Sequence, residues 1–265
     1  MEPTGVSYPI VSAVGSGGLV GFMLGLLDGG GSILATPLLL YVVGVTQPHV
    51  AIGTGALAVS ANAFANFASH AIKGHIWWRC AAVFSALGVV GAVGGSSLGK
   101  AIDGDRLIFF FGIVMMVVGA LMLNPRKAVA VECRPVDLRM CLATAAVALA
   151  AGAASGFFGI GGGFLIVPGL MLGTGMPMIN AIGTSLLSIG AFGLTTALNY
   201  ASSGLVDWRL AAEFIGGGIV GGVFGMLLST RLSAYKNILN RLFAALIFVV
   251  AAYILHRNWG TVVLG

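Results

Sequence analysis

The chain has 265 residues, 58% of them hydrophobic and only 8% charged, with a formal net charge of +5 and a mean hydropathy of +1.04. Soluble domains carry about 25% charged residues, so this composition excludes a soluble globular protein. The Lys and Arg residues lie in short segments between apolar blocks, which is typical of membrane loops and gives no indication of nucleic-acid binding.

Eight apolar blocks are long enough to span, or nearly span, a bilayer, for which about 20 apolar residues are needed. In chain order they are residues 10–27, 50–69, 81–99, 107–123, 141–156, 181–198, 210–229 and 242–255. Because backbone groups in lipid must be satisfied within the protein, each block is predicted to be a helix. The predicted fold class is an all-α polytopic membrane protein.

Two shorter apolar segments, 32–45 and 163–174, each begin at a run of three glycines and contain a proline. A dozen helical residues reach only about 20 Å, which is too short to cross a membrane. Two interpretations are open. The segments are half-helices completed by the extended glycine-rich stretch, or they are re-entrant segments that do not cross.

The sequence also contains a long internal duplication. Residues 51–61 read "AIGTGALAVSA" and residues 181–191 read "AIGTSLLSIGA", and the same offset of 130 residues relates the Trp-Arg pairs at 78–79 and 208–209. Self-similarity on this scale indicates two structural repeats. We place them at 1–130 and 131–265, together forming one integral membrane domain.

The number of crossings decides how the repeats are oriented. Five crossings in each repeat require the second to be inverted, whereas four leave the repeats parallel. The 13 Lys and Arg residues divide nine to four between the two sides with ten crossings, and eight to five with eight crossings. The larger asymmetry favours inverted repeats of five segments with both termini outside the cytoplasm, an arrangement common in secondary transporters.

The glycine runs are candidate anion sites. They lack the Lys of a P-loop and the Rossmann fingerprint, so nucleotide binding is not indicated. A half-helix that begins inside the membrane presents unpaired N–H groups and the positive end of its dipole, which suit an anion. The alternative is a simple helix-breaking bend. The candidate residues are Gly30, Gly31, Ser32, Gly162 and Gly163.

Polar side chains within the duplicated motif form the second candidate set. Thr54 and Asn62 are eight residues apart and therefore share a helix face. Thr184 and Ser185 occupy the second copy. Hydroxyl and amide groups can bind an anion without bringing a full charge into lipid. Interhelical hydrogen bonding is the alternative role for such groups.

Ionisable residues near the apolar blocks are few, which makes Asp28 and Glu213 candidates for carrying a coupled proton. In the alternative interpretation, Asp28 caps the following helix and Glu213 pairs with Arg209. The four histidines are dispersed, so the sequence predicts neither a metal site nor a hydrolase.

These motifs resemble the TauE/SafE family of sulfite exporters and related anion transporters. The resemblance rests on "DGGGSILATPLL" followed by "VAIGTGALAVSANA", and on "GIGGGFLIVPGLML" followed by "AIGTSLLSIGA". It implies a multi-pass protein of the bacterial inner membrane that moves sulfite, sulfonates such as sulfoacetate, or other small organic anions, without a cofactor. It also adds the motif positions Gly53 and Gly183 to the candidate site. Phe192 stands where the first copy has Asn62, so the two halves of the site are not equivalent.

The expected function is therefore secondary transport of a small anion, with export by alternating access. An anion channel and a proton-coupled anion importer are the alternatives. An enzyme is not expected, because the sequence shows no nucleophile–base pair and no set of metal ligands. The expected partners are the small anion and the lipid bilayer, without nucleic acid, and the sequence leaves open which anion is moved and the oligomeric state.

Overall fold

The computed structural model describes residues 10–27, 30–72, 74, 76–123, 138–163, 166–167, 170, 176, 178–231 and 236–263. All regular structure within these ranges is helical, which confirms the all-α prediction. Among the described residues, five helices are long and apolar enough to cross a membrane. They are Pro48–Ile72, Trp78–Ala101, Asn180–Ala201, Trp208–Leu228 and Arg241–Asn258.

The helices follow the order predicted from the apolar blocks. The first repeat contains α1 (Ile10–Leu27), α2 (Ala35–Leu38), α3 (Pro48–Ile72), α4 (Trp78–Ala101) and α5 (Gly104–Leu123). The second repeat contains α6 (Leu138–Phe158), α7 (Met178–Ala201), α8 (Trp208–Arg231) and α9 (Lys236–Val263). Local chemistry explains several ends. Asp207 caps α8 by accepting the N–H of Leu210 at 3.0 Å, and α3 begins at Pro48, a position where a missing N–H costs little.

The first short segment is an irregular helix. A 3₁₀ turn (Gly30–Leu34) leads into α2, and a π-helical turn (Leu39–Val43) follows it and ends at Gly44, which has a φ of 87°. Pro37 lies inside α2 and has no N–H to donate, which accounts for the irregular hydrogen bonding around it. In the second short segment, Ile166 donates its N–H to Gly162 O at 3.0 Å. Most of the remainder lies outside the described residues.

The first helix of each repeat packs on a helix of the other repeat. α1 packs on α8 and α6 packs on α4. The contacts run through glycine, because a Cβ on Gly21 would overlap the carbonyl of Gly218, and one on Gly152 would overlap that of Gly88. These two pairs occupy equivalent places in the repeats. Small residues allow such close backbone approach in lipid, where no hydrophobic effect brings helices together.

Helices that are equivalent in the two repeats run in opposite directions where they meet. On α3 and α7, Gly53 lies against Tyr200, whereas Ser60 further along donates to Gly190 O at 2.7 Å. On α5 and α9, Gly112 lies against Ile254 and Gly119 against Phe248. In both pairs the residue number rises on one helix as it falls on the other, so each pair is antiparallel.

The buried polar side chains in the described part of the chain are all neutral. They are Ser16, Ser32, Thr36, Thr54, Ser60, Asn62, Asn66, Ser85, Ser96, Ser155, Thr184, Ser185, Ser188 and Thr196. Burying a neutral hydroxyl or amide costs far less than burying a charge. The interior between the helices is therefore polar in places but carries no formal charge within the described residues.

Candidate functional site

The glycine run of the second repeat forms a turn on the crossing of α3 and α7. Gly159, Gly161 and Gly162 have φ values of 68°, 66° and 69°, a conformation that glycine adopts at little cost. A Cβ on Gly161 would lie 3.0 Å from Val59 and 2.9 Å from Ile189, which are equivalent residues of α3 and α7. The two motifs, far apart in sequence, therefore meet at this crossing.

The glycine run of the first repeat has a different conformation. Gly30 and Gly31 begin the 3₁₀ turn, and Gly31 has no positive φ. A Cβ on Gly31 would lie 2.5 Å from the backbone N of Leu24, so glycine is required there for close packing on α1. Ser32 is fully buried, and Asp28 lies outside the described residues. The two runs match in sequence but not in backbone geometry.

The threonines of the duplicated motif bind backbone groups of the opposite repeat. Thr54 Oγ1 accepts the N–H of Asp207 at 3.0 Å, and Thr184 Oγ1 accepts the N–H of Trp77 at 3.2 Å. Asp207 and Trp77 are equivalent residues, each directly before a helix of its own repeat. Both threonines therefore make the hydrogen bonds between helices that were the alternative to anion binding. Their role in anion binding stays a prediction.

Asn62 differs from the other candidates because its amide is unpaired. The side chain is 1% exposed, and neither Oδ1 nor Nδ2 has a partner among the described residues. It packs on Gly218 of α8, where an added Cβ would overlap the amide. Leaving such a group unpaired costs about 1–3 kcal/mol, so each case in a folded protein needs an explanation. One explanation is a transported ligand, which would supply partners for the buried N–H donor and the buried carbonyl acceptor of Asn62.

The remaining candidates are buried but locally satisfied or closely packed. Ser185 Oγ donates to Ile182 O of its own helix at 2.8 Å. Gly53 lies against Leu205 O and Tyr200, while Gly163 and Gly183 are buried. These positions are explained by helix packing, and any contact they make with an anion stays a prediction.

Four buried hydroxyls without a partner among the described residues were not singled out by the sequence. They belong to Ser16, Thr36, Ser155 and Tyr200. Ser155 Cβ lies 3.1 Å from where a Cβ on Gly162 would be, directly beside the glycine turn. Ser155 lies in the last turn of α6, and the left-handed turn that brings Gly162 back beside it gave no signal in the sequence.

Of the two candidate proton carriers, Glu213 lies in the described part of the chain and Asp28 does not. Arg209 Nε donates to Glu213 Oε1 at 3.3 Å, and the Arg209 side chain is 75% exposed in the chain itself. The structure thus contains the ion pair that was the alternative to proton coupling. Asp28 cannot be placed, because it falls outside the described residues.

Comparison with known proteins decides the family. The family model described as "Sulfite exporter TauE/SafE" matches residues 13–254, nearly the whole chain. The chain belongs to the TauE/SafE family. This TauE/SafE protein is 61% identical to a "Probable membrane transporter protein" of Xylella fastidiosa (strain 9a5c) over 255 residues, covering 96% of this chain and 98% of the relative.

More distant relatives carry similar names. The TauE/SafE protein is 26% identical to the "Probable membrane transporter protein YunE" of Bacillus subtilis (strain 168) over 254 residues, covering 86% of this chain and 90% of the relative. No solved structure matches it at a significant level. The predicted family is confirmed, and the protein is a multi-pass membrane transporter, not an enzyme.

Proposed function

We propose that this TauE/SafE protein exports a small sulfur-containing or organic monoanion, such as hydrogen sulfite or a sulfonate, across the bacterial inner membrane. The supporting observation is the antiparallel crossing of α3 and α7, with the glycine turn of the second repeat on it. The unpaired amide of Asn62 lies on α3 three residues beyond Val59, which is beside Gly161 of the glycine turn, so the two share a helix face. A fixed site between two repeats is the usual arrangement in secondary transporters.

The same packing supports inverted repeats. A two-fold axis in the membrane plane reverses the direction of equivalent helices, whereas an axis along the membrane normal preserves it. α3 and α7 are antiparallel, and so are α5 and α9. Five crossings in each repeat, with each short segment counted as one crossing, produce this reversal.

The way in which the helices associate supports alternating access. α3 packs with α1 and α8, and α7 packs with α4 and α6. Lys100 at the end of α4 strengthens the second group by donating to Asn199 Oδ1 of α7 at 2.8 Å. In this proposal the two groups move as units about the α3–α7 crossing and open the site to each side in turn.

The neutral interior favours a single negative charge on the substrate. The idealised cost of transferring an ion from water rises with the square of its charge, so a dianion costs about four times as much as a monoanion of the same size. No buried cation offsets this cost within the described residues. Hydrogen sulfite and methanesulfonate are therefore favoured over sulfoacetate, which carries two charges at neutral pH.

Export is favoured by the membrane potential. A cytoplasm-negative membrane drives anions outwards with about 2.3 kcal/mol per charge for each 100 mV. Export of a monoanion then needs no coupled ion. The pairing of Glu213 with Arg209 is consistent with a uniporter, since it engages a carboxylate that would otherwise be available to carry a proton.

Flux in proteoliposomes tests this proposal. We expect saturable sulfite counterflow, and net sulfite efflux that accelerates under an imposed interior-negative potassium-diffusion potential without a pH gradient. Methanesulfonate should compete at least tenfold better than sulfoacetate. Non-saturating flux would indicate the channel instead. Flux that ignores the potential, follows a proton gradient and is lost in Glu213→Gln would establish proton-coupled transport.

Cysteine labelling tests the inverted topology separately. Ile72 and Ser202 are equivalent, exposed residues at the ends of α3 and α7. In a variant with Cys80, Cys133 and Cys141 replaced by serine, a cysteine at position 202 should react with an impermeant maleimide in intact cells. A cysteine at position 72 should react only after permeabilisation. Parallel repeats would place both positions on one side, and reaction of both in intact cells would rule out inversion.

A further inference from the structure

A cavity of about 430 Å³ lies at one end of the helix bundle, where the irregular segment and α9 end and α3 and α5 begin. Its lining includes Tyr41, Pro48, Asp105, Arg257 and Asn258. The volume falls within the range of roughly 300–1,000 Å³ typical of small-ligand sites. None of the candidate transport residues lines this cavity, so it is distinct from the α3–α7 crossing.

One wall of the cavity holds a fixed cation. The Arg257 guanidinium lies 5.3 Å from the centre of the Tyr41 ring, and its Nη1 donates to Tyr253 Oη at 3.1 Å. Tyr41 and Tyr253 pack edge to face, and Asn258 Nδ2 donates to Tyr41 Oη at 3.2 Å. A guanidinium has five N–H donors, and those of Arg257 make one hydrogen bond within the described residues. The cation is therefore held in place with donors to spare.

Another wall of the cavity carries the Asp105 carboxylate, which makes no side-chain hydrogen bond or ion pair among the described residues. Asp103 Oδ1 already accepts the N–H groups of Asp105 and Arg106 at 3.1 and 3.4 Å and so caps α5. The Asp105 side chain is exposed, and within the described part of the chain it forms no ion pair with Arg257. The cavity thus presents a positive and a negative group that do not neutralise each other by direct contact.

We propose that this cavity binds a zwitterionic phosphoethanolamine group. Its phosphate would accept hydrogen bonds from the Arg257 guanidinium, which matches oxyanions well. Its ammonium would donate a charge-assisted hydrogen bond to the Asp105 carboxylate. A phospholipid headgroup and a free soluble phosphoethanolamine share this chemistry. The position at the ends of membrane-crossing helices, with two tyrosines typical of the interface, favours the headgroup.

Binding of short-chain lipids to the full-length protein in detergent tests this site. We expect dihexanoyl phosphatidylethanolamine to bind at least tenfold more tightly than dihexanoyl phosphatidylglycerol, which has no ammonium. Arg257→Gln should weaken phosphatidylethanolamine binding about tenfold or more. Asp105→Asn should weaken it by a similar factor while leaving phosphatidylglycerol binding unchanged or tighter.

Arg106→Gln is the matched control, because Arg106 is exposed beside Asp105 but does not line the cavity. It should bind like the wild type, and all variants should remain monodisperse. Free phosphoethanolamine that binds as tightly as the lipid would support a soluble ligand, and much weaker binding would support the headgroup. Equal affinity for both lipids, an Asp105→Asn variant that binds like the wild type, or no binding of any probe would overturn the proposal.

Discussion

Replacing Gly21 by alanine is expected to destabilise the protein severely, because the new methyl group would overlap the backbone carbonyl of Gly218 where α1 and α8 are in closest contact. Backbone atoms cannot move aside as a side-chain end can, so the helices must separate. Overpacking of this kind costs about 3 kcal/mol or more. The expected result is a large fall in the thermal unfolding midpoint of purified protein, or loss of folded protein altogether.

Gly15 on the same helix provides the matched control. A Cβ at Gly15 would meet nothing within 4 Å. Alanine there should leave stability unchanged or raise it by about 0.5 kcal/mol, because glycine is the poorer helix former. Gly152→Ala, at the equivalent contact of α6 with Gly88, should behave like Gly21→Ala. A Gly21→Ala variant as stable as Gly15→Ala would contradict the close packing of α1 on α8.

Replacing Asn62 by leucine is expected to abolish transport while leaving the protein at least as stable as the wild type. Leucine has the same branched skeleton as asparagine, although its methyl groups are larger, and it cannot donate to or accept from a ligand. Removing a buried amide that has no protein partner also removes its desolvation cost. We expect at least a hundredfold loss of sulfite counterflow in proteoliposomes, with an unchanged or higher unfolding midpoint.

The combination of these two measurements distinguishes a transport role from a structural one. A structural asparagine would lose stability on substitution, whereas a ligand-binding one loses flux alone. Asn66, one turn further along α3 and 9% exposed, is the matched control. Asn66→Leu should retain most of the flux. Wild-type flux in Asn62→Leu would show that the unpaired amide does not lie on the transport path.

The threonines show how far a motif can be interpreted without coordinates. Their recurrence at equivalent places in both repeats predicted a shared role, and the structure shows one, since each accepts a backbone N–H of the opposite repeat. Sequence could not identify the partners, because they lie 107 and 153 residues away along the chain. A hydroxyl beside a ligand and a hydroxyl beside a helix end look the same in a sequence.

The glycine runs show a second limit. Both were predicted to interrupt helices at equivalent places. Their backbones nevertheless differ, with Gly161 and Gly162 left-handed and Gly31 in a 3₁₀ turn packed against α1. Glycine permits all of these conformations at similar cost, so the residue type alone cannot select one. Contacts with neighbouring helices make the selection.

By itself, the sequence of this TauE/SafE protein determined its membrane class, its helices, its duplication and the neutral polar character of its interior. Composition and hydrophobic periodicity are local or additive properties of the chain, so they can be determined without knowing which residues are in contact. Only the tertiary structure decided that α3 and α7 meet antiparallel, that the glycine turn lies on their crossing, and that Asn62 is left unpaired. Each of these depends on which surfaces meet across more than a hundred residues of chain, and on close backbone approaches that the sequence permits but does not specify.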